Sequence, residues 1–330
     1  MAKTCILITG GAGFIGSNFV KSIACSPGII SNYSFYIVDA LTYAGNKANI
    51  QSELTAFNIP FISVDIRDRE SVDSLFEQEQ FDGVINFAAE THVDRSIQNP
   101  NIFLETNVLG TLNLLNASLK VFGGKTGFRF LQVSTDEVYG SLQENESAFT
   151  EELPLRPNSP YSASKASADL LVLSYFKTYK LPVIITRCSN NYGPYQYPEK
   201  LIPLMINKAC NDEKLPVYGD GRNIRDWIYV DDHNEGIWSA FERGRPGEIY
   251  NFGGNSEIRN IDLVKMILKK LDKRENLIEF VSDRLGHDRR YAMNYDKAKK
   301  ELAWEPKTTF SEGLEKTLSW YKKVMVPSCL

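Results

Sequence analysis

Short runs of apolar, often β-branched residues alternate with longer segments of helical periodicity through the first half of the chain. This alternation is typical of a parallel sheet that helices cover on both faces. The expected strands are Cys5–Thr9, Phe35–Asp39, Pro60–Val64, Gly83–Phe87, Arg129–Ser134 and Val183–Arg187. The expected helices are Phe14–Ala24, Arg69–Gln78, Ile102–Phe122 and Tyr161–Tyr179. The pattern therefore predicts the α/β fold class, with a doubly wound parallel sheet.

The residue composition and the pattern of apolar positions change after the strand expected over Val183–Arg187. Stretches rich in proline, glycine, tyrosine and asparagine, such as Asn190–Pro203, alternate there with short helical patterns. Two longer helical patterns follow, over Ile261–Leu271 and Phe310–Val324. We expect two domains, 1–186 with the main sheet and a smaller mixed domain over 187–330 that contacts the substrate. Some segments of the second are expected to return to the main sheet.

Composition and charge exclude several classes of protein. Of 330 residues, 43% are hydrophobic and 24% are charged, which is close to globular averages and argues against disorder. The net charge of −4, without a long basic run, argues against nucleic acid or an anionic membrane as the main partner. The five cysteines are Cys5, Cys25, Cys188, Cys210 and Cys329. They form no CxxC pair and accompany only three histidines, so we expect reduced thiols, no metal site and a cytoplasmic location.

A glycine-rich turn follows the first expected strand. Gly10, Gly13 and Gly16 have the spacing G-x-x-G-x-x-G, and they stand between that strand and the first expected helix. Such a turn lets the backbone approach a pyrophosphate and directs a helix N-terminus towards its negative charge. The strand before it and the helix after it are the context that a dinucleotide site requires. The sequence therefore predicts a Rossmann-type dinucleotide site that includes Phe14 and Ile15 of the same turn.

Four further residues extend this cofactor site. Asp39 ends the second expected strand, at about the 20-residue spacing typical of a carboxylate that binds a ribose 2′-hydroxyl. A carboxylate there repels a 2′-phosphate, which favours NAD over NADP. Asp65 and Ile66 follow the third strand at the expected adenine edge, with Asp65 accepting from the exocyclic amine. Ala88, among small residues after the fourth strand, lets the backbone come close; for both aspartates the alternative is a cap or turn role.

Tyr161 and Lys165 place a phenol and an ammonium on one face of an expected helix, four residues apart. A phenol is a poor base at neutral pH, because its pKa is near 10. A nearby ammonium and a positive nicotinamide ring both favour the phenolate and lower that pKa. Tyr161 could then accept a hydroxyl proton while a hydride leaves the same carbon. A surface pair is the alternative, but the upstream nucleotide-binding turn favours the catalytic interpretation.

Taken together, the glycine turn, Asp39, Tyr161 and Lys165 resemble the extended short-chain dehydrogenase/reductase family. The similarity runs along nearly the whole chain and is most specific to NDP-sugar dehydratases, the dTDP-glucose 4,6-dehydratases. The motifs that carry it are Asp39–Asn46, Ala88–Ser96, Ser134–Gly140, Ser189–Tyr195, Pro198–Pro203, Tyr218–Gly221 and Gly286–Tyr291. The resemblance implies that 1–186 is an NAD-binding Rossmann domain with the catalytic residues. It implies that 187–330 mainly binds the nucleotide sugar.

The same resemblance implies a mechanism for removing water. Tyr161 would deprotonate the sugar O4 hydroxyl while a hydride passes from C4 to NAD, and Thr135 would hydrogen-bond O4. Glu137 would then remove the acidified C5 proton, and protonated Asp136 would donate to the departing C6 hydroxyl before the hydride returns to C6. Adjacent carboxylates in a closed site split their pKa values in the way these two roles require. This doublet separates the dehydratases from the epimerases of the same superfamily, while a pair of helix-start carboxylates is its structural alternative.

The residues expected to contact the substrate also come from the resemblance. Two of them, Arg225 and Arg289, suit a diphosphate, because a planar guanidinium binds phosphate oxygens in pairs. The full set is Asn190, Lys200, Leu201, Tyr218, Arg225, Asn260, Arg289 and Tyr291. The chain departs from the family pattern at Arg187–Cys188, where Asn-Cys or Thr-Asn is more usual, and at Leu285, where many relatives have proline.

The expected activity is that of an NAD-dependent hydro-lyase of deoxysugar biosynthesis, which converts dTDP-glucose to dTDP-4-keto-6-deoxyglucose. UDP-glucose or UDP-N-acetylglucosamine as substrate is one alternative, and a non-catalytic NAD-binding sensor is another. The resemblance also suggests a homodimer built from the helices over Ile102–Phe122 and Tyr161–Tyr179. Apolar residues on more than one face of the second helix agree with a partner subunit or, alternatively, with a thick core.

Overall fold

The computed structural model describes residues 3–325. Within this range the strands are β1 (Thr4–Thr9), β2 (Tyr33–Asp39), β3 (Phe61–Ser63), β4 (Gly83–Asn86), β5 (Arg129–Thr135), β6 (Val183–Cys188), β7 (Asn190–Tyr192), β8 (Leu215–Tyr218), β9 (Ile224–Tyr229), β10 (Ile249–Phe252), β11 (Glu257–Arg259) and β12 (Ile278–Val281). The α-helices are α1 (Phe14–Ala24), α2 (Pro27–Asn32), α3 (Gln51–Ala56), α4 (Arg69–Gln78), α5 (Val93–Gln98), α6 (Pro100–Phe103), α7 (Thr111–Phe122), α8 (Pro160–Tyr179), α9 (Leu201–Cys210), α10 (Val230–Arg243), α11 (Asn260–Lys270), α12 (Asp296–Leu302) and α13 (Phe310–Met325). Short 3₁₀ turns cover Lys47–Ile50, Asp136–Tyr139 and Glu275–Leu277.

The main sheet has seven strands in the order β10-β6-β5-β4-β1-β2-β3, and every neighbouring pair is parallel. Its first six strands have the 3-2-1-4-5-6 order of a Rossmann sheet. A three-stranded sheet, β11-β9-β7, mixes antiparallel and parallel pairs, and β12 pairs with β8. The predicted fold class, a Rossmann-type sheet with a smaller mixed part, is confirmed.

The apolar runs of the central strands pack on both faces of this sheet. In β1, Ile6 and Ile8 join the core cluster on one face, and Leu7 joins the cluster on the other. Because both faces are buried, these strands read as nearly continuous apolar runs. The strands and helices predicted up to the end of β6 are present, with ends that differ by one or two residues.

The helix predicted over Ile102–Phe122 contains a wider turn. Between α6 and α7, Leu104–Gly110 adopts a π-helical conformation, a feature that is frequent at functional sites. The amide of Asn107 lies in this turn and is buried. It accepts the N–H of Glu90 at 2.9 Å and donates to Ser164 Oγ at 2.8 Å, so it ties the segment after β4 to α8.

The second half of the chain contributes to both cores. Strand β10 pairs with β6 at the edge of the main sheet, and α10 and α12 pack on that sheet with Phe241 and Leu302 in its core. A separate cluster joins α9, α11 and α13 through residues such as Met205, Ile267 and Leu314. The chain therefore returns to the first core after it has begun the second.

Cys5, Cys25 and Cys188 carry free thiols, and Cys329 lies outside the described residues. Among residues 3–325, no helix has both the length and the apolar character needed to cross a membrane. In the same range, no three His, Cys, Asp or Glu side chains are grouped so that they could hold a metal ion.

Candidate active site

Two cavities open near the carboxyl ends of the main-sheet strands. The first cavity, of about 730 Å³, is lined by residues that follow β1 to β4, among them Gly10, Asp39, Asp65 and Ala88. The second cavity, of about 1070 Å³, is lined by Glu137 and by side chains from the second half of the chain. Ligands of doubly wound folds bind at this edge of the sheet.

The glycine turn forms the base of the first cavity. Gly10 has φ +69°, and a Cβ on it would lie 2.6 Å from the backbone nitrogen of Ala88. A Cβ on Gly16 would overlap the carbonyl oxygen of Gly10, so both positions exclude a side chain. Gly10 and Gly13 line the cavity, while Phe14, Ile15 and Gly16 form the first turn of α1.

Asp39 lies on the wall of this cavity at the end of β2. Its two carboxylate oxygens accept the N–H groups of Ala12 and Leu41 at 2.9 and 2.8 Å. Burial raises the pKa of Asp39, and these backbone bonds oppose the rise. The carboxylate is thus fixed against the glycine turn, beside the space that an adenosine ribose would need.

Asp65 and Ile66 also line the first cavity. The Arg67 guanidinium binds the Asp65 carboxylate, with Nη2 at 2.6 Å from Oδ2, and this hydrogen bond lowers the pKa of Asp65. Each oxygen of this carboxylate already accepts two hydrogen bonds from Arg67, so a ligand amine would have to compete with Arg67 for Asp65. The close-approach glycines, the N-terminus of α1 and the carboxylate after β2 together fit NAD.

The acidic doublet follows β5 in a 3₁₀ turn. Thr135 ends the strand, and its hydroxyl donates to Asp136 Oδ1 at 3.2 Å and accepts the N–H of Glu137 at 3.4 Å. The other carboxylate oxygen of Asp136 is buried and has no hydrogen-bond partner among the described residues. Glu137 lines the second cavity. The turn therefore places one carboxyl inside the protein and presents its neighbour to the second cavity.

The two carboxyls have different electrostatic surroundings. Burial raises the pKa of Asp136 well above its usual value, and the negative charges of Glu137 and Asp226 add to the rise. Burial also raises the pKa of Glu137, but the cations Lys200 and Arg225 oppose it. The protein therefore favours a protonated Asp136 beside a Glu137 that ionises more readily.

Tyr161 and Lys165 lie in the first two turns of α8. A capping box between Ser159 and Ser162, with Pro160 at the first helical position, fixes where this helix begins. Tyr161 is buried, and its ring meets Phe103 edge-on at a centroid distance of 6.2 Å.

In the protein alone, the surroundings of Tyr161 raise its pKa; the expected lowering depends on the nicotinamide ring as well as on Lys165. Burial and the charge of Glu137 raise the pKa of Tyr161 well above its ordinary value, while a hydrogen bond with Thr135 lowers it. The ammonium of Lys165 donates to the carbonyl of Val133 at 2.8 Å. In the protein alone, Tyr161 is a neutral phenol, because desolvation disfavours the phenolate more than nearby groups favour it.

Seven of the expected active-site and substrate residues line the second cavity: Glu137, Asn190, Lys200, Leu201, Tyr218, Arg225 and Asn260. Several buried polar atoms of its wall have no hydrogen-bond partner within residues 3–325, namely Asn190 Oδ1, Gln196 Oε1, Trp227 Nε1 and Asn260 Oδ1. Buried polar groups in folded proteins are normally bonded, so these atoms indicate a polar ligand. Leu204, Met205, Val217 and Val264 give the same wall an apolar part.

Cationic side chains gather on this wall. The Arg225 guanidinium packs 4.3 Å from the ring centroid of Tyr291 and donates to the carbonyl of Asp288. Arg284, which the sequence reasoning did not single out, pairs with Asp94 at 2.6 Å and lines the cavity. Its position two residues before the Gly286–Tyr291 motif was the signal that could have found it. The cations give the second cavity the charge that a diphosphate requires.

Two expected substrate residues lie outside this wall. Tyr291 lines a smaller adjoining cavity together with Glu137 and Arg225, and its hydroxyl donates to Asp288. Arg289 instead pairs with the carboxylates of Asp220 at 3.1 Å and Glu144 at 3.5 Å, and it lines none of these cavities. The structure therefore does not bring Arg289 to the site.

The segment between the cavities belongs to both. Glu90 lines the first cavity, and Thr91 to Asp94 line the second. Lys200 donates to the Thr91 carbonyl at 2.8 Å, and Arg95 binds Glu199 at 2.9 Å. These contacts fasten the shared wall to the second half of the chain.

Comparison with known proteins identifies this arrangement. The family profile described as GDP-mannose 4,6 dehydratase matches residues 7–317. The dTDP-glucose 4,6-dehydratase of Xanthomonas campestris pv. campestris is 53% identical over 331 residues, which cover 96% of this chain and 92% of that protein.

Solved structures agree. The dTDP-glucose 4,6-dehydratase of Bacillus anthracis, in complex with NAD, superimposes with a TM-score of 0.88 at 50% identity and covers 98% of this chain and 97% of its own. The enzyme of Streptomyces venezuelae, with NAD and dTDP bound, has a TM-score of 0.92 at 44% identity, covering 97% and 98%. The chain belongs to the dTDP-glucose 4,6-dehydratase family, the NAD-dependent hydro-lyases of the extended short-chain dehydrogenase/reductase type.

Proposed function

We propose that the chain removes water from dTDP-glucose to give dTDP-4-keto-6-deoxyglucose. The observation that carries this proposal is the pair Asp136–Glu137, with a buried carboxyl on one side and a carboxyl on the cavity wall on the other, next to Tyr161. Oxidation at C4 needs a single base, whereas loss of water across C5 and C6 needs an acid and a second base.

Tyr161 is assigned the first proton transfer, from the sugar O4 hydroxyl to its oxygen. Because Tyr161 is a neutral phenol in the protein alone, this role requires the phenolate that the Lys165 ammonium and the positive nicotinamide ring of bound NAD would favour. Thr135, which bonds both Asp136 and the backbone of Glu137, is assigned the orientation of O4. Gly10, Gly13, Phe14, Ile15, Gly16, Asp39, Asp65, Ile66, Ala88, Tyr161 and Lys165 would hold NAD. Bound there, NAD would supply the acceptor for a hydride from C4 and, once reduced, the donor of a hydride to C6.

Asp136 and Glu137 are assigned the elimination of water across C5 and C6. Glu137 takes the C5 proton on its carboxylate, and Asp136 gives its proton to the C6 hydroxyl, which leaves as water. The opposed surroundings of the two groups support these roles, since Lys200 and Arg225 favour an ionised Glu137 while burial keeps Asp136 neutral. Within the described range, no protein donor competes for the buried second oxygen of Asp136.

The second cavity is assigned to the nucleotide sugar. Arg225 and Lys200 suit the diphosphate, and the apolar part beside Leu201 suits a base ring with a methyl group. Asn190, Tyr218, Asn260 and Tyr291 complete the proposed contacts. Arg289 stays in this set only if it leaves Asp220 when substrate binds.

Three organisational proposals accompany this function. The first is a functional division into an NAD-binding part, 1–186, and a mainly sugar-nucleotide-binding part, 187–330, although β6 spans that boundary and β10 completes the first part's sheet. The second is a homodimer, supported by Leu104, Leu109 and Leu170, which are 49%, 53% and 59% exposed on neighbouring helical segments. The third is a cytoplasmic location, supported by the free thiols.

The deciding experiment is incubation of the purified protein with NAD and dTDP-glucose, followed by mass spectrometry. The expected product is lighter than the substrate by about 18 Da, the mass of one water. UDP-glucose and UDP-N-acetylglucosamine serve as the competing substrates. An unchanged dTDP-glucose beside a dehydrated UDP-sugar would contradict the substrate assignment, and no dehydration of any of them would contradict the reaction.

Light scattering of a Leu170→Glu variant tests the dimer, since a charge in an apolar interface should give monomers.

A further inference from the structure

A buried ion pair joins β6 to α8, the helix that carries Tyr161 and Lys165. Arg187 on β6 and Asp169 on α8 are 2% and 0% exposed, and Arg187 Nε donates to Asp169 Oδ2 at 2.9 Å. Among the salt bridges of the described residues, this pair alone has both side chains buried to this degree. Asp169 Oδ1 is buried without a hydrogen-bond partner in the described part of the chain.

Stability is a weak explanation for such a pair. Two charges lose their hydration when they are buried, and their mutual attraction often only offsets that loss. Apolar residues of similar volume often serve equally well, so a buried pair with one carboxylate oxygen unbonded suggests a role in placing groups.

On one side, the pair contacts the helix that carries the proposed base. Tyr161, Lys165 and Asp169 follow one another at intervals of four residues on α8, which brings them onto one face. The negative charge of Asp169 favours the ammonium of Lys165 and opposes the lowering of its pKa by burial; the other titratable group that acts on Lys165 is the Cys188 thiol.

On the other side, the pair contacts the acidic turn. The Arg187 guanidinium carbon lies 4.7 Å from the ring centroid of Tyr139, which ends the same 3₁₀ turn as Asp136 and Glu137. Tyr139 is itself held, because its hydroxyl donates to Asn251 at 2.9 Å and its ring stacks on Phe149. In the sheet, Arg187 is the register partner of Ser134, the residue before Thr135.

We propose that Arg187 is a positioning residue that fixes α8, with Tyr161 and Lys165, relative to the turn with Asp136 and Glu137. The inference rests on the proposed function of those four residues. The Arg187 side chain touches both elements, through Asp169 and through Tyr139. Proton transfers at O4, C5 and O6 of one sugar need both elements in a fixed relation, because misplacement by about 1 Å can slow a reaction on the order of 10²-fold.

The test compares Arg187→Lys, Arg187→Met and the double variant Arg187→Met/Asp169→Leu. The double variant replaces the pair with apolar side chains, so it should keep the thermal midpoint of the unmutated enzyme. Its kcat for dTDP-glucose should nevertheless fall about 10- to 100-fold, with KM nearly unchanged, because the nucleotide-sugar wall is intact. Arg187→Lys retains a charge for Asp169 but not a planar group over Tyr139. Its kcat should therefore lie between that of the unmutated enzyme and that of the double variant.

The matched control is Arg129→Met. Arg129 is a half-buried arginine at the opposite end of β5 that donates to the Gly244 carbonyl, far from the acidic turn. It should change kcat by less than about twofold, as is usual for substitutions away from a site.

A double variant that is both as stable and as fast as the unmutated enzyme would overturn the inference. If the double variant does not fold, Arg187→Lys decides: a reduced kcat at unchanged thermal midpoint supports positioning, and an unchanged kcat contradicts it. Crystal structures of the unmutated protein and of Arg187→Lys give a readout without turnover, in which Tyr161 should shift relative to Glu137. If the unmutated chain dehydrates no nucleotide sugar, the proposed function fails, and unmoved Tyr161 and Glu137 in those structures would separately overturn this inference.

Discussion

The first cavity is walled by short segments that each follow a strand of one parallel sheet, whereas the second is assembled from parts of the chain that are far apart in sequence. In the first, backbone groups and missing side chains make the surface, as at Gly10 and Gly13. In the second, long polar side chains such as Lys200, Arg225 and Arg284 make it. A cavity wall made of backbone leaves no space for an added side-chain atom, whereas a wall made of side chains can change its ligand contacts one substitution at a time. This difference predicts distinct responses to substitution.

The largest effect is expected at Tyr161, a buried residue that lines neither cavity. Tyr161→Phe removes only the phenol oxygen, so both cavities should bind their ligands normally while kcat falls about 10²- to 10⁴-fold. Measuring turnover by product mass checks the fall in kcat, and calorimetry with NAD checks that cofactor affinity is unchanged. Near-normal turnover would refute the role of Tyr161 as base.

Glu137→Gln should separate the two proton transfers. The amide keeps the shape of the side chain on the second cavity wall but cannot take the C5 proton, so dehydration should fall about 10²-fold or more. Nuclear magnetic resonance of substrate in D₂O should show little deuterium at C5. Complete exchange at C5 in this variant would show that another group is the base.

Gly10→Ala should damage the first cavity alone. The added Cβ meets Ala88 in a left-handed backbone conformation, and such strain costs about 1–3 kcal/mol before any shift of the chain. NAD affinity, measured by fluorescence quenching, should fall strongly, while binding of dTDP to the second cavity should change little.

The matched control for this substitution is Gly28→Ala. Gly28 lies in α2 without a positive φ, and no atom lies within 4 Å of the position that an alanine Cβ would take. Alanine should therefore be neutral or slightly stabilising there. Equal loss of NAD affinity in both variants would argue against the close-approach interpretation of Gly10.

Arg225→Lys should weaken the second cavity by a smaller step. Lysine keeps the charge but loses the planar fork that binds phosphate oxygens in pairs, so we expect roughly a tenfold weaker affinity for dTDP, or about 1.4 kcal/mol. Isothermal calorimetry with dTDP measures this, and the affinity for NAD should stay constant. A parallel loss of NAD affinity would show that the two walls are not independent.

The smallest effect concerns Asp226, next to Arg225 in β9. Burial raises its pKa from 3.8 to about 6, partly opposed by the N–H groups of Ser256 and Gly254. Because the folded-state pKa is raised, protonated Asp226 contributes its full stabilisation below the unfolded-state pKa of 3.8, and this contribution is lost as the pH rises through about 6. Urea unfolding of the unmutated protein and of Asp226→Asn should therefore show the difference in unfolding free energy moving in favour of Asn with rising pH. A difference independent of pH would contradict the raised pKa.

The sequence predicted the first cavity more fully than the second, for a physical reason. Gly10 and Ala88 follow strands and Asp39 ends one, and the carboxyl ends of parallel strands meet at one edge, so local patterns predict their shared wall. Helix α10 was not predicted because its first turns are polar, with Asp231 and Asp232 at the start.

Long-range pairings explain what the sequence could not predict in the second cavity. Arg284 faces the wall because Asp94, far away in the chain, holds it, and no local pattern reports that pairing. Arg289 belongs to a matching motif, yet Asp220 and Glu144 bind its guanidinium elsewhere. Local sequence likewise reports neither the burial that raises the pKa of Tyr161 in the protein alone nor the Val133 carbonyl that binds the Lys165 ammonium.

The position of β10 has a consequence for synthesis on the ribosome. Strand β6 is complete at Cys188, but its outer edge is covered only by Ile249–Phe252. At about 5–20 residues per second, the nascent chain carries that open edge for several seconds before its cover emerges. A polypeptide that terminates between these points would keep unpaired backbone groups at the edge of a hydrophobic sheet, which is a template for aggregation. Premature termination in the second half should thus yield insoluble chains rather than a smaller folded dinucleotide-binding protein.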